Sequence, residues 1–462
     1  MKAGFGGSRR AKPQRALGGS RGRLYSPFPK AGLLRLRGDD DEIRESYSSD
    51  FTYGALKIRP DFRMTPSATI ERDLIKDKIA QAHAALKREG IDVWLVFLQE
   101  TSVYREPVLD YLIGQDVTWQ SAFLYTATGE SVAIVGNFDV ESFQARGCFD
   151  RVVGYTKSVA PPLTNELRRL RPSRLALNYA ADDPTADGLT HGLYLVLKDI
   201  LHEAGVREGV VSSQPLVRSV RGCKTRDELA RLETAVRRTE SAFDTLCNER
   251  LIGQSEIQIA ARLAELAGRA ECGLAFASIV NAGTKSAVGH THPTEAKFEA
   301  GDLLHLDFGF RYRDYCADLQ RCVYALKPGE SAAPPELTRA FSAVADCIQD
   351  AYGRLKAGVM GVEVDSAARD FILGRGYPEY QHALGHQLGR AVHDGGALLG
   401  PLWPRYGNSP RWPVEVGQVF TLELEAEVPG TGYASLEEDV VITPDGTRWL
   451  SRPQRTPILL GG

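Results

Sequence analysis

Residues 305–321 read "HLDFGFRYRDYCADLQR". Two acids, Asp307 and Asp318, stand inside apolar runs, where an ionised carboxylate without a partner costs several kcal/mol. At strand period two, His305, Asp307 and Gly309 share one face, while Leu304, Leu306 and Phe308 share the other. Beyond the turn "RYRDY", Cys316, Asp318, Gln320 and Cys322 again share a face, so a hairpin brings the two aspartates together. Their partner has to come from elsewhere in the chain.

Two later segments supply candidates, "VFTLELEAEV" (419–428) and "SLEEDVVITPDG" (435–446). In the first, Thr421, Glu423 and Glu425 oppose Phe420, Leu422 and Leu424. Three apolar strand regions therefore each offer a carboxylate toward a common side. Carboxylates that close repel one another, and one takes up a proton unless a cation intervenes. A pair of divalent metal ions resolves this, and four carboxylates with one imidazole suit Mn²⁺, Co²⁺, Fe²⁺ or Zn²⁺. Two such ions suit hydrolysis. Six of the nine histidines lie between residues 290 and 393, in "GHTHPTEAKFEAGDLLHLDFG" and "HALGHQLGRAVHDGG". Taken singly, each reads as a satisfied polar or core residue. Neither an HExxH motif nor a P-loop occurs, and nucleotide-binding enzymes are disfavoured accordingly.

The rest of the chain frames this half. Its 462 residues, 43% apolar and 25% charged, fit a soluble protein of two or three domains. No apolar run is long enough to span a membrane. Seven scattered cysteines without a C-x-x-C pair predict free thiols in a reducing, cytoplasmic setting. Ten Lys or Arg and no acid precede Asp39, so the remainder is acidic and an unsuitable partner for nucleic acid.

Residues 1–63 read as a disordered basic leader in preference to a transit peptide or a basic arm, and Met64 resembles a natural start. Residues 64–216 alternate helix and strand, with a helix from Ile70 to Glu89 stopped by Gly90 and strands at 91–97, 121–127 and 131–136. This predicts a smaller α/β domain. The joint lies near 217–229, where Thr225 and Glu228 form a capping box. Ser255 with Gln258, and Pro335, mark two further helix starts within 217–462.

The ordered set "LDFGFRYRDYCADLQR", "HALGHQLGRAVHD", "FTLELE" and "LEEDVVITPDG" resembles the pita-bread metallopeptidases, in the branch of aminopeptidase P and prolidase. The resemblance covers about residues 220–450, and residues 64–215 look like that branch's amino-terminal domain. It implies an α/β and α+β chain of two domains, a smaller creatinase- or prolidase-like domain before a catalytic one of creatinase and methionine aminopeptidase type. It also implies two divalent ions, Mn or Zn ahead of Co or Fe, held by Asp307, Asp318, His386, Glu423 and Glu438, with Glu423 doubling as proton acceptor. His290, His393 and His382 take substrate-facing roles by the same resemblance. His292 and His305 receive none, and Cys316 and Cys322 read as packing residues.

The implied activity is hydrolysis of the amino-terminal Xaa-Pro bond of short peptides, favouring a dipeptidase over an aminopeptidase for longer peptides. A non-catalytic peptide- or protein-binding member of the fold is a remote alternative. The implied assembly is a homo-oligomer, a dimer, without nucleic acid or membrane. Two departures stand out: "ELEAEV" replaces the usual "EPG", and Leu436 sits two residues before Glu438, where the branch keeps an Arg.

Overall fold

Three largely apolar runs, Val93–Leu98, Ser121–Thr126 and Ser131–Gly136, form neighbouring strands that are buried along their whole length. Strands of this kind need cover on both faces. They belong to a six-stranded mixed sheet ordered Arg151–Tyr155, Ser131–Gly136, Ser121–Thr126, Val93–Leu98, Leu175–Leu177 and Val210–Ser212. On one face Trp94, Val96 and Phe123 pack with the helices Pro66–Glu89 and Gln214–Gly222. On the other, Val93, Leu95 and Phe97 pack with the helices Ala160–Leu170 and His191–Ala204. The computed structural model describes residues 66–286 and 291–461, with side chains from residue 71 onward. The calls on residues 1–63 and on His290 lie outside the described residues.

A seven-stranded sheet builds the second half. Its path runs Val419–Val428, Gly432–Thr443, Leu319–Ala325, Leu303–Phe308 and Ile279–Ala282, with Gly446–Trp449 and Ile458–Leu460 paired at the side. Leu304, Leu306 and Phe308 pack with helices Arg226–Cys247 and Glu256–Arg269. Phe420, Leu422 and Leu424 pack with helices Pro335–Arg354 and Gly361–Gly374. The polar residues alternating with these leucines and phenylalanines are left to line a cavity, which is the expected pita-bread arrangement.

The local signals explain the element ends. Thr225 Oγ1 accepts from the Glu228 N–H at 3.3 Å, and Glu228 Oε2 accepts from the Thr225 N–H at 2.7 Å. Ser255 and Gln258 repeat the box, and Pro335 opens its helix. Within "GFRYRDYCA", the strands Phe310–Tyr312 and Tyr315–Cys316 make a short hairpin whose turn residues, Arg313 and Asp314, both have positive φ. Gly309 precedes it because a Cβ there would lie 1.7 Å from the Ala317 carbonyl oxygen. The boundary expected at 216/217 falls inside the helix Gln214–Gly222, whose Leu216, Val217 and Val220 pack with the first helix.

Glu228 also joins the two halves. Lys78 Nζ lies 2.6 Å from Glu228 Oε2 with both side chains sealed from solvent, and the Tyr315 hydroxyl donates to Glu228 Oε1 at 3.0 Å. Removing one partner of a buried pair strands the other charge. Lys78→Met is expected to lower stability by about 3–5 kcal/mol, read as a shift of the urea midpoint.

All seven cysteines are free. Among the described residues no helix is long and apolar enough to cross a membrane.

Candidate metal centre

Strand register sets the site. Asp307 pairs with Gln320, Gln320 with Glu437, and Glu437 with Glu423, so four strands contribute one polar row across the sheet. Gln320 Nε2 donates to Glu437 Oε2 at 3.0 Å and to Glu423 Oε2 at 3.3 Å, spacing the two glutamates. Asp318 enters just before its strand on the same side as Gln320, its N–H donating to Asp439 Oδ2 at 3.2 Å.

His386 comes from the segment after the helices. That segment runs beside the strand Val419–Val428: the Glu423 N–H donates to the Leu384 carbonyl at 2.7 Å and the Thr421 N–H to the His386 carbonyl at 3.0 Å. A Cβ at Gly385 would lie 2.0 Å from the Thr421 carbonyl oxygen, so "LGHQLG" needs its first glycine for this approach. His386 Nε2 then stands 3.8 Å from Asp318 Oδ2, 3.7 Å from Glu423 Oε1 and 3.8 Å from Glu437 Oε1. One ligand atom each from Asp318, His386 and Glu437 all lie within 4.8 Å of one another.

Glu438 corrects the expectation from sequence. It pairs with Leu422 across the strands and faces away from the row. Its oxygens are taken up by Arg321 Nη2 (3.0 Å), the Ser451 hydroxyl (2.6 Å) and the Gln454 N–H (2.8 Å). Glu437 is the glutamate that faces Glu423. By the same parity, the residue two positions before the site glutamate is Ser435, whose hydroxyl donates to Gln320 Oε1 at 2.5 Å, while Leu436 is buried in the core.

The electrostatics are those of a site built for cations. Burial, then the Glu423 charge, pushes the Asp307 carboxyl up to about 8. Burial and neighbouring carboxylates hold Asp318 and Glu437 well above the usual range, and burial raises Glu423. Burial, then His393, pushes His386 down to about 3, leaving a neutral imidazole. Asp307 Oδ1, Asp318 Oδ1 and Glu437 Oε1 are buried without a hydrogen-bond partner. Unpartnered carboxylate oxygens converging beside a neutral imidazole are what divalent ions require, so the residues fit such ions.

His292, His305, His382 and His393 line the surrounding cavity of about 800 Å³. His393 sits edge-on to His386, ring centroids 4.4 Å apart. His382 Nε2 is 2.6 Å from Glu425 Oε2. Burial works against protonation of His382, but Glu425 and Glu423 outweigh it and push its pKa up to about 9. His305 contacts Gln320 Oε1 at 3.1 Å, and His292 also lines the wall. Cys316 and Cys322 are buried, with the Cys322 thiol directed to the Ser435 carbonyl. Reading from sequence missed Arg405 and Tyr406 in the cavity wall. They sit on a single 3₁₀ turn, Pro404–Tyr406, too short for any periodicity to mark them.

A carboxylate–imidazole cluster on a sheet walled by two helix pairs is thus a candidate divalent-metal centre. Residues 230–444 match the model of metallopeptidase family M24. The chain is 29% identical over 276 residues to an uncharacterized peptidase of Bacillus subtilis, covering 59% of this chain and 73% of that protein. It is 27% identical over 266 residues to an Xaa-Pro dipeptidase of Pyrococcus horikoshii, covering 57% and 71%. An X-Pro aminopeptidase of Thermotoga maritima superposes at TM-score 0.62 and 26% identity, over 80% of this chain and 98% of that one. An Xaa-Pro dipeptidase from Bacillus anthracis superposes at TM-score 0.65 over 84% and 100%, and at 23% identity that likeness shows the fold.

Proposed function

We propose that the chain is a metal-dependent Xaa-Pro peptidase that removes the amino-terminal residue from short peptides, with dipeptides as its preferred substrates. The observation that carries the reading is the cross-sheet row Asp307, Gln320, Glu437, Glu423 facing Asp318 and His386, with three buried carboxylate oxygens lacking partners. Relatives named Xaa-Pro dipeptidase and X-Pro aminopeptidase support the substrate class.

Asp307, Asp318, His386, Glu423 and Glu437 would hold two divalent ions, Mn or Zn first. Such ions polarise a carbonyl and supply hydroxide near neutral pH. Glu423, raised by burial, is placed to take up the proton released by the attacking water. His393 donates to the oxygen on which charge develops, an interaction that strengthens only in the transition state. His382 holds its proton through Glu425 and offers a cation beside the carboxylates.

Arg405 favours the dipeptidase. Within the described lining it is the lone Lys or Arg beside five acids. Its Nη2 donates to the Gln381 carbonyl at 2.6 Å, its guanidinium lies 4.6 Å from the Trp403 ring centroid, and no ion pair holds it among the described residues. A guanidinium without a carboxylate partner, in a cavity lined by five acids, suits a substrate carboxylate. The test compares Ala-Pro, Ala-Pro-amide and Ala-Pro-Ala with wild type and Arg405→Ala. The expected result is a rise in KM for Ala-Pro of about 10-fold or more, the loss of one charge-assisted bond, with little change for the amide. Equal effects on all three substrates, or faster wild-type turnover of Ala-Pro-Ala, would instead select the aminopeptidase.

A further inference from the structure

The residue after His393 is Asp394, and its side chain is sealed from solvent. Arg221 Nη2 donates to Oδ1 at 2.5 Å, Lys224 Nζ to Oδ2 at 3.0 Å, and the Tyr111 hydroxyl stands 3.4 and 3.5 Å from the two oxygens. Burial alone would raise this carboxyl, but the two cations outweigh it and hold Asp394 below the usual range. Asp394 is thus a fixed anion.

Its cradle is itself tied down. Arg221 Nη1 donates to the Pro107 carbonyl at 2.5 Å, and its guanidinium lies 5.1 Å from the Tyr111 ring centroid. Lys224 Nζ donates to the Arg221 carbonyl at 2.6 Å, and the Lys224 N–H to the Gly417 carbonyl at 2.9 Å.

Asp394 anchors a folded-back strap. Gly385 and Leu399 exchange backbone hydrogen bonds, the Asp394 N–H donates to the Gln387 carbonyl at 2.9 Å, and the Gly389 N–H to the Ala391 carbonyl at 3.1 Å. His386 rides on the outgoing arm and His393 on the return. A Cβ at Gly389 would lie 2.0 Å from Asp394 Oδ2 and 2.9 Å from Lys224 Nζ, so the carboxylate and its cation press directly against the outgoing arm. The cradle comes from Tyr111, Arg221 and Lys224, all outside the 230–444 match.

We propose that Tyr111, Arg221 and Lys224 are positioning residues, which hold His393 at its station over the metal centre by gripping Asp394. Residues outside the matched stretch, one of them in the amino-terminal half, thereby set turnover. The inference rests on the role given to His393 above. A buried ion pair with a purely structural role would lower stability and leave each folded molecule equally active.

A double-mutant cycle separates the two, because residues acting through one group fail to add. Arg221→Gln should lower kcat by between about 10- and 100-fold, the range for losing an orienting partner, with KM and bound metal unchanged. In a His393→Ala background it should lower kcat no further. Tyr111→Phe and Asp394→Asn run the same cycle should Arg221→Gln not fold. Equal losses in both backgrounds, or unchanged kcat per folded molecule, overturn the proposal. Should wild type cleave no peptide, the functional reading fails and the side-chain ¹⁵N resonances of His393, assigned by their loss in His393→Ala, decide this one. Displaced signals in Arg221→Gln support the cradle, and unchanged signals overturn it.

Discussion

Glu437→Gln is expected to lower kcat/KM by about 10²- to 10³-fold, the scale for removing a preorganised charge at a reacting centre, and to lower metal affinity with it. Its neighbour should behave in the opposite way. Glu438→Gln leaves the row Asp307, Gln320, Glu437, Glu423 untouched. It removes a charge that pairs with buried Arg321 at 3.0 Å and accepts from Ser451 and the Gln454 N–H. The expected result is intact metal binding with a stability loss of about 3–5 kcal/mol. Measuring metal content, kcat/KM and the denaturation midpoint on both variants checks the pair. Activity lost at Glu438 and retained at Glu437 would reverse the strand parity on which the site is built.

Metal removal should change how stability depends on pH. In the metal-free protein Asp307 titrates near 8, and Asp318, Glu423 and Glu437 are also raised, burial being the first cause for each. A carboxyl raised in the folded state binds its proton more tightly there than in the unfolded chain. Between the ordinary carboxylate value of about 4 and the folded value near 8 for Asp307, the folded state therefore holds more protons. Its stability must fall as pH rises through that window. Divalent ions replace those protons and bind the folded state selectively, so they should restore stability most at the alkaline end. Thermal unfolding of metal-stripped protein from pH 5 to pH 8, with and without Mn²⁺, reads both trends. A metal-free stability that rises across this range would contradict the clustered-carboxylate reading.

Much of the site is legible because strands impose a period of two. Leu304, Leu306 and Phe308 mark the helix-covered face, so His305 and Asp307 must face the other way. Phe420, Leu422 and Leu424 do the same for Glu423. The error at Glu438 is a failure to apply that rule to "SLEED". Leu436 packs in the core with Leu422 and Leu424, so Glu438 shares its face and Glu437 alone can meet Glu423. Two adjacent glutamates offer a choice that composition cannot make, whereas the parity of the neighbouring leucine can.

Other features leave no local trace. Arg405 reaches the cavity from a single 3₁₀ turn. The grip of Arg221 and Lys224 on Asp394 spans 173 and 170 residues, and nothing in "VRGCK" announces an acid so far along the chain. Three of the amino-terminal strands are readable as buried because they are largely apolar runs, yet their order in the sheet follows from packing that single strands do not encode.

The central claim is that the row of carboxylates and His386 holds two catalytic metal ions. Its most direct test is calorimetric titration of metal-stripped protein with Mn²⁺, with proline release from Ala-Pro followed at each addition. Two equivalents bound per chain, with hydrolysis appearing as the sites fill and both lost in Asp318→Ala, is the predicted result. Hydrolysis indifferent to metal, or full binding and activity in Asp318→Ala, would contradict it.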